Sequence, residues 1–205
     1  MTRSKRSRSW LHAHSSDTYV KQARQAGYRS RAPFKLLEID ERDHLLKPGM
    51  TVIDLGAAPG GWSQAAVAKA GPKGRVIAVD LLDMPAVPGV VFIHGDFTDP
   101  SVQEEIRALM GDGGADLLIS DMSPNLTGRR EVDQANTEHL NELTLLFSTE
   151  ILKKGGNVLL KTFHGTGFDA LRETARHSFD KVAIRKPKAS RSHSAEVYLL
   201  AQGRK

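Results

Sequence analysis

Apolar residues in this chain fall into short dense runs separated by longer stretches with helical spacing. Thr51–Leu55, Arg75–Asp80, Val90–His94, Ala115–Ser120 and Asn157–Thr162 are runs rich in Val, Ile and Leu. Such runs predict strands buried on both faces. Between them, helices are predicted over Trp62–Ala70, ended by Gly71-Pro72, over Pro100–Met110 with Asp99 as N-cap, from about Asp133 to Lys153, and over Phe168–His177. Two more strands, Lys181–Arg185 and Glu196–Ala201, have only a loop between them and are expected to pair antiparallel. Ahead of the first strand, Asp17–Ala26 reads as a helix closed by Gly27. A second helix starts at Pro33 and runs to about Asp43, and Lys47-Pro48-Gly49 is a turn. Strands alternating with helices indicate an α/β chain: a doubly wound, Rossmann-like, seven-stranded and mostly parallel sheet whose last strand is antiparallel.

The length of 205 residues is enough for one full core, and 40% hydrophobic with 26% charged residues is the balance of a soluble globular protein. The expected organisation is a basic, disordered tail over residues 1–14 and a single domain over 15–205. No apolar stretch is long enough to span a bilayer, and the basic N-terminus has no apolar signal core. The absence of cysteine excludes disulfides and thiolate metal sites and fits a cytoplasmic location. The eight histidines form neither HxxxH nor HExxH, so no metal is expected.

Charge changes the picture further. The net charge of +5 is uneven: residues 1–35 hold nine Lys/Arg against Asp17 alone, leaving the rest of the chain slightly acidic. Lys181, Arg185, Lys186, Lys188 and Arg191 form a second basic cluster. Two basic segments around an acidic body point to a polyanion, with nucleic acid the leading candidate.

The candidate chemistry lies at strand ends, where open parallel sheets hold their ligands. Asp54-Leu55-Gly56-Ala57-Ala58-Pro59-Gly60-Gly61-Trp62 joins the first strand to its helix. It contains neither GxGxxG nor GxxxxGK[ST], which argues against a dinucleotide or a P-loop phosphate site. A smaller, phosphate-free ligand such as the amino-acid end of S-adenosylmethionine fits better, with Gly60 and Trp62 against it. Asp80, ending the second strand, is placed to accept from ribose hydroxyls, and Asp96 in Gly95-Asp96-Phe97 from an adenine amino group. Asp121-Met122-Ser123-Pro124-Asn125 follows the fourth strand. Lys161 closes the fifth strand, a costly place for a lysine unless it reaches a cleft or a partner.

These segments, together with Ser30–Leu37, Leu159–Phe163 and Arg185–Tyr198, make the chain resemble the FtsJ-type (RlmE-type) ribosomal RNA 2′-O-ribose methyltransferases from about Trp10 to its end. The resemblance implies the S-adenosylmethionine-dependent methyltransferase version of the fold. It also implies a Lys-Asp-Lys-Glu tetrad, here Lys35, Asp121, Lys161 and Glu196, with Asp121 near the cofactor as well. It implies S-adenosyl-L-methionine as cofactor and, as substrate, a uridine of large-subunit (23S-type) ribosomal RNA, met on an assembled or late-assembling subunit by a monomer with no membrane attachment. The family's chemistry makes Lys161 the acceptor of the 2′-hydroxyl proton. A lysine serves in that role only when neutral; held charged, it would orient the hydroxyl and stabilise negative charge on oxygen. Pro33 stands where well-known members carry an aromatic residue, and Ser123 replaces a frequent alanine.

Three competing functions are weaker. A non-catalytic RNA-binding assembly factor leaves the intact tetrad unexplained. A nicotinamide oxidoreductase lacks both GxGxxG and a Tyr-x-x-x-Lys pair. A messenger RNA cap methyltransferase shares the tetrad, but no cap-binding domain is evident.

Overall fold

The computed structural model describes residues 18–124, 127–165, 167–191 and 194–205. The basic tail and Asp17 lie outside them. Thirteen elements follow in chain order: α1 Thr18–Gln25, α2 Pro33–Asp43, β1 Thr51–Leu55, α3 Gly61–Ala70, β2 Arg75–Asp80, β3 Val90–His94, α4 Pro100–Met110, β4 Ala115–Ser120, α5 Arg130–Ile151, β5 Leu152–Phe163, α6 Phe168–Ser178, β6 Phe179–Arg185 and β7 Glu196–Arg204. Asn125, the last residue of the predicted loop after β4, also falls outside the described residues.

The strands form one sheet in the order β3-β2-β1-β4-β5-β7-β6. The five from β3 to β5 run parallel, and β7 runs antiparallel to both of its neighbours. The order reverses between β1 and β4, which opens a crevice beyond the carboxyl ends of the strands. Alternating side chains feed two cores, one on each face. On one face Ile53, Leu118, Val158 and Leu160 pack with Ile106 of α4, Leu145 of α5 and Leu171 of α6. On the other, Val52, Leu117, Leu159 and Tyr198 pack with Leu36 and Ile39 of α2 and Trp62 and Ala65 of α3. This two-sided burial is why the inner strands β1, β2 and β4 lack a polar face in sequence.

Helix ends follow local chemistry. Asp99 accepts from the Ser101 amide at 2.8 Å, and Pro100 opens α4. Gly27, at φ +73°, ends α1 with bonds from Tyr28 N to Ala23 O and from Gly27 N to Arg24 O. That is the Schellman pairing expected of a glycine in this place.

Element boundaries differ from the sequence pattern by more than one residue in three places. The pattern predicts the long helix over Asp133–Lys153, and it spans Arg130–Ile151. Asp133 lies within its first turn and accepts from the Thr127 amide, the Thr127 hydroxyl and the Gly128 amide, fastening the preceding loop. Strand β5 begins at Leu152, whose side chain is buried and which pairs with Ala115 before a register shift. The sheet also extends at its far edge: Phe179 pairs with Arg204, so β6 starts earlier and β7 ends later than the apolar runs suggest.

One ion pair ties the far edge to the N-terminal helices. Arg185 on β6 grips Asp43 with Nε and a terminal nitrogen, both at 2.6 Å, and both side chains are nearly buried. Asp43→Ala strands that guanidinium, and the expected loss is about 3 kcal/mol of folding stability. Urea denaturation measures it; an unchanged midpoint would show that the pair contributes nothing.

Candidate active site

The crevice beyond β1, β2 and β4 is a cleft of about 500 Å³. Its floor is backbone at Gly56, which sits at φ +73° and whose missing Cβ would overlap Met122. Asp80 lies at one end. Its Oδ2 accepts from Ala58 N and its Oδ1 from Leu82 N, both at 2.8 Å, which fixes the carboxylate at the rim. Asp96 accepts from the amide and hydroxyl of Thr98 through Oδ1, and among the described residues its Oδ2 has no partner. Phe97, Leu81 and Leu82 add apolar wall. Leu140 and Leu143 of α5 close the far side.

Gly60 and Trp62 are placed differently from the rest. Gly60 does not line this cleft. It sits at φ +101°, packed among Arg29, Met84 and Val87, where any side chain would collide. Trp62 is buried, donates Nε1–H to Ala32 O at 2.8 Å, and faces a small chamber of about 60 Å³ that also touches Gly56, Ala58 and Asp121.

The four tetrad residues converge beside α2 where β4 and β5 end and β7 begins. Lys161 Nζ donates to the backbone carbonyl of Asp121 and lies 3.3 Å from its Oδ1. Lys35 Nζ is 3.5 Å from Asp121 Oδ2 and 2.9 Å from Glu196 Oε1. The order in space is therefore Lys161, Asp121, Lys35, Glu196, with charge alternating at each step. All four side chains are at most 18% exposed, so each charge depends on its neighbours rather than on water.

Two further residues complete the site, and the sequence pattern does not single them out. Tyr198 donates its hydroxyl to Asp121 Oδ1 at 2.7 Å, and Lys35 sits 5.7 Å from its ring centre. Burial, then the charges of Asp121 and Glu196 and the hydrogen bond itself, pushes the Tyr198 phenol well above its ordinary range. It stays a neutral donor at physiological pH. Ser190 donates to Glu196 Oε1 at 2.7 Å. Burial works against ionising Glu196, but the charge and hydrogen bond of Lys35, with help from Ser190 and Lys161, outweigh it and hold the carboxyl below its usual range. The available signal for Tyr198 is its register: it faces Lys161 across the β5–β7 pair.

The basic cluster of the last strands is divided. Arg185 is committed to Asp43, and Lys186 Nζ fastens the carbonyls of Ser194 and Glu196. Lys181, Lys188 and Arg191 are exposed. Arg191 lines a groove of about 430 Å³ that runs past Arg31 to Lys35 and Glu196.

Known proteins resemble the chain along nearly its whole length. The model of the FtsJ-like methyltransferases matches residues 28–204. The chain belongs to the FtsJ-like methyltransferase family. It is 53% identical over 205 residues to the ribosomal RNA large subunit methyltransferase E of Nitrosospira multiformis, covering 100% of both chains. It is also 53% identical to the protein of that name from Pseudomonas aeruginosa, covering 99% of this chain and 98% of the other. Among solved structures, a ribosomal RNA methyltransferase from Plasmodium falciparum matches with a TM-score of 0.78 at 28% identity, over 86% of this chain and 98% of that one. Fibrillarin from Aeropyrum pernix, solved with S-adenosyl-L-methionine, shares the fold at a TM-score of 0.57 and 17% identity, over 85% and 75% of the two chains.

This FtsJ-like chain is an S-adenosylmethionine-dependent methyltransferase, and its cleft fits that cofactor. Carboxylates stand at the rim for hydroxyl and amino donors, apolar side chains offer a surface for a purine, and the glycine floor lets a ligand approach the backbone. Beneath the floor, Asp54 is buried and accepts from the Ser63 hydroxyl at 2.6 Å. Burial pushes its carboxyl up to about 7, against the Ser63 hydrogen bond and with help from the charges of Asp121 and Asp80.

That value carries a sign. The folded protein holds this proton more tightly than the unfolded chain, so ionisation of Asp54 opposes folding. Its effect is absent below the ordinary value of 3.8, and stability declines as pH rises from there toward about 7. The slope is at most about 1.4 kcal/mol per pH unit. Asp54→Asn is expected to flatten this part of the stability profile, measured by thermal denaturation between about pH 4.5 and 8 in the absence of cofactor. Parallel profiles for the two proteins would contradict the assignment.

Proposed function

We propose that the chain methylates the ribose 2′-oxygen of a uridine in large-subunit (23S-type) ribosomal RNA, acting as a cytoplasmic monomer on the assembled or late-assembling subunit. Relatives that match it end to end are named ribosomal RNA large subunit methyltransferase E. The observation that carries the reading is the convergence of Lys35, Asp121, Lys161 and Glu196 beside the cofactor cleft.

When bound, the cofactor supplies an electrophilic methyl carbon on a cationic sulfur. A ribose hydroxyl is a weak nucleophile, and its proton must leave as the new O–C bond forms and the S–C bond breaks. Lys161 is the group we place at that oxygen to take the proton. Asp121 holds the amine of Lys161 through both its carbonyl and its carboxylate, which restricts the direction in which the amine can act. Tyr198 in turn fixes the Asp121 carboxylate. Lys35, bridging Asp121 and Glu196, adds positive charge where oxygen becomes negative.

The groove of Arg31 and Arg191 is the proposed track for RNA phosphates. Carboxylates inside the site would repel a phosphate, so the backbone is held outside it and the sugar edge enters.

Lys161→Ala is expected to keep the fold and cofactor binding while methyl transfer to purified subunits falls at least about a hundredfold. Lys161→Arg separates the two roles of the amine. An arginine stays charged, so loss of activity supports proton acceptance, whereas substantial retained activity supports electrostatic stabilisation alone. Mapping ribose methylation in the RNA with and without the protein tests the uridine assignment. For the groove, Arg191→Ala should flatten the dependence of log affinity on log salt by about one unit for each phosphate the variant no longer neutralises. An unchanged slope would remove Arg191 from the RNA track.

A further inference from the structure

A second cavity, of about 270 Å³, lies on the other side of α5 from the cofactor cleft. Asn136, His139 and Leu140 face the cofactor side of that helix, and Thr137 and Asn141 face this cavity. The end of β5, the start of α6 and Ala195 complete the wall.

Two polar side chains decide its character. Asn141 is 6% exposed and Thr162 is 3% exposed. Both line the cavity, and among the described residues neither the Asn141 amide nor the Thr162 hydroxyl has a hydrogen-bond partner. Buried polar groups are nearly always paired, and leaving one unpaired is destabilising. The missing partner therefore belongs to whatever fills the space. An asparagine amide presents a donor and an acceptor side by side, and a hydroxyl can act as either.

The rest of the lining narrows the choice. Phe163, His164 and Phe168 supply aromatic faces, with the His164 and Phe168 ring centres 4.8 Å apart. Asp133, Glu138 and Glu142 supply carboxylates, and the described lining contains no lysine or arginine. Such a site disfavours a phosphate and favours a flat heterocycle with adjacent donor and acceptor atoms. Its position fits the same ligand. It opens at the carboxyl end of β5, the edge at which the tetrad converges: Phe163 pairs with Glu196 across the β5–β7 ladder, and Thr162 reaches the cavity from the sheet face opposite Lys161.

We propose that this cavity receives an unstacked base of the RNA substrate beside the reacting ribose, and that Asn141 and Thr162 read its hydrogen-bonding edge. The inference rests on the RNA methyl-transfer reading of the tetrad. Binding there holds the strand on the far side of Lys161 from the Arg191 groove, so the sugar is fixed from both sides.

Thr162→Val and Asn141→Leu remove the polar atoms while nearly keeping shape. Folding stability is expected to hold or rise, because an unpaired buried group is removed. The KM for large ribosomal subunits should rise about tenfold in each variant, with kcat and the cofactor dissociation constant within about twofold. Subunits carrying an abasic nucleotide at, or next to, the methylated position supply the second arm. Wild-type protein should bind them about tenfold more weakly than intact subunits, and Asn141→Leu should show little further weakening. An unchanged KM in both variants, or equal sensitivity of wild type and Asn141→Leu to base removal, overturns the proposal and leaves a water-filled cavity. Wild-type protein that transfers no methyl group to subunits defeats the functional reading instead, while equilibrium binding to intact and abasic subunits still decides the base site.

Discussion

The carboxylate of Asp121 is the joint on which the site depends. One oxygen receives the Tyr198 hydroxyl and faces Lys161, and the other faces Lys35, which reaches on to Glu196. Two amines and two carboxylates in so little water are tolerable only as an alternating set, in which each carboxylate has an amine beside it. The arrangement that permits burial also suits the reaction. It keeps positive charge near an oxygen that becomes negative, and it holds an amine in place before the substrate arrives.

The sheet makes this convergence possible. Asp121 follows the carboxyl end of β4, and Lys161 lies in the last residues of its parallel neighbour β5, so they stand at the same edge of the sheet. Glu196 stands at the start of its strand. A parallel β7 would have carried it to the opposite edge of the sheet, and only the antiparallel run brings the beginning of β7 beside the end of β5. Lys35 arrives by another route. Helix α2 buries Leu36 and Ile39 against the sheet, and the residue before Leu36 is thereby turned toward the strand ends. The two cavities that flank α5 extend the same logic, because one helix separates the proposed cofactor and base sites.

Much of this was legible in the chain. The strands β1 to β4 stand where their apolar runs predict, since burial on both faces of β1, β2 and β4 leaves a continuous Val/Ile/Leu signature, and the edge strand β3 keeps an apolar run although Val91 is exposed. Asp80 and Asp96 stand at the rim of the large cleft, as their strand-end positions suggest. The junction of α5 and β5 was not legible, because Ile151 and Leu152 are apolar in either element and only the pairing of Leu152 with Ala115 separates them. The basic cluster near β6 misleads by composition: Arg185 serves Asp43 and Lys186 serves loop carbonyls, which charge counting could not distinguish from RNA-binding groups. Nor does the loop's sequence disclose that Gly60 sits outside the lining of the large cleft, packed among Arg29, Met84 and Val87.

The sequence by itself determined the alternation of strands and helices, the loop after β1 without a phosphate signature, and the order of the four tetrad residues. Those are local properties, set by side-chain periodicity, turn chemistry and motif. Tertiary structure alone decided that Lys35 lies between Asp121 and Glu196, that Tyr198 braces Asp121, and that Asn141 and Thr162 share a cavity without partners among the described residues. Each of these depends on residues far apart in the chain meeting at a few ångströms, and such meetings follow from strand order, register and helix packing rather than from any neighbouring letters.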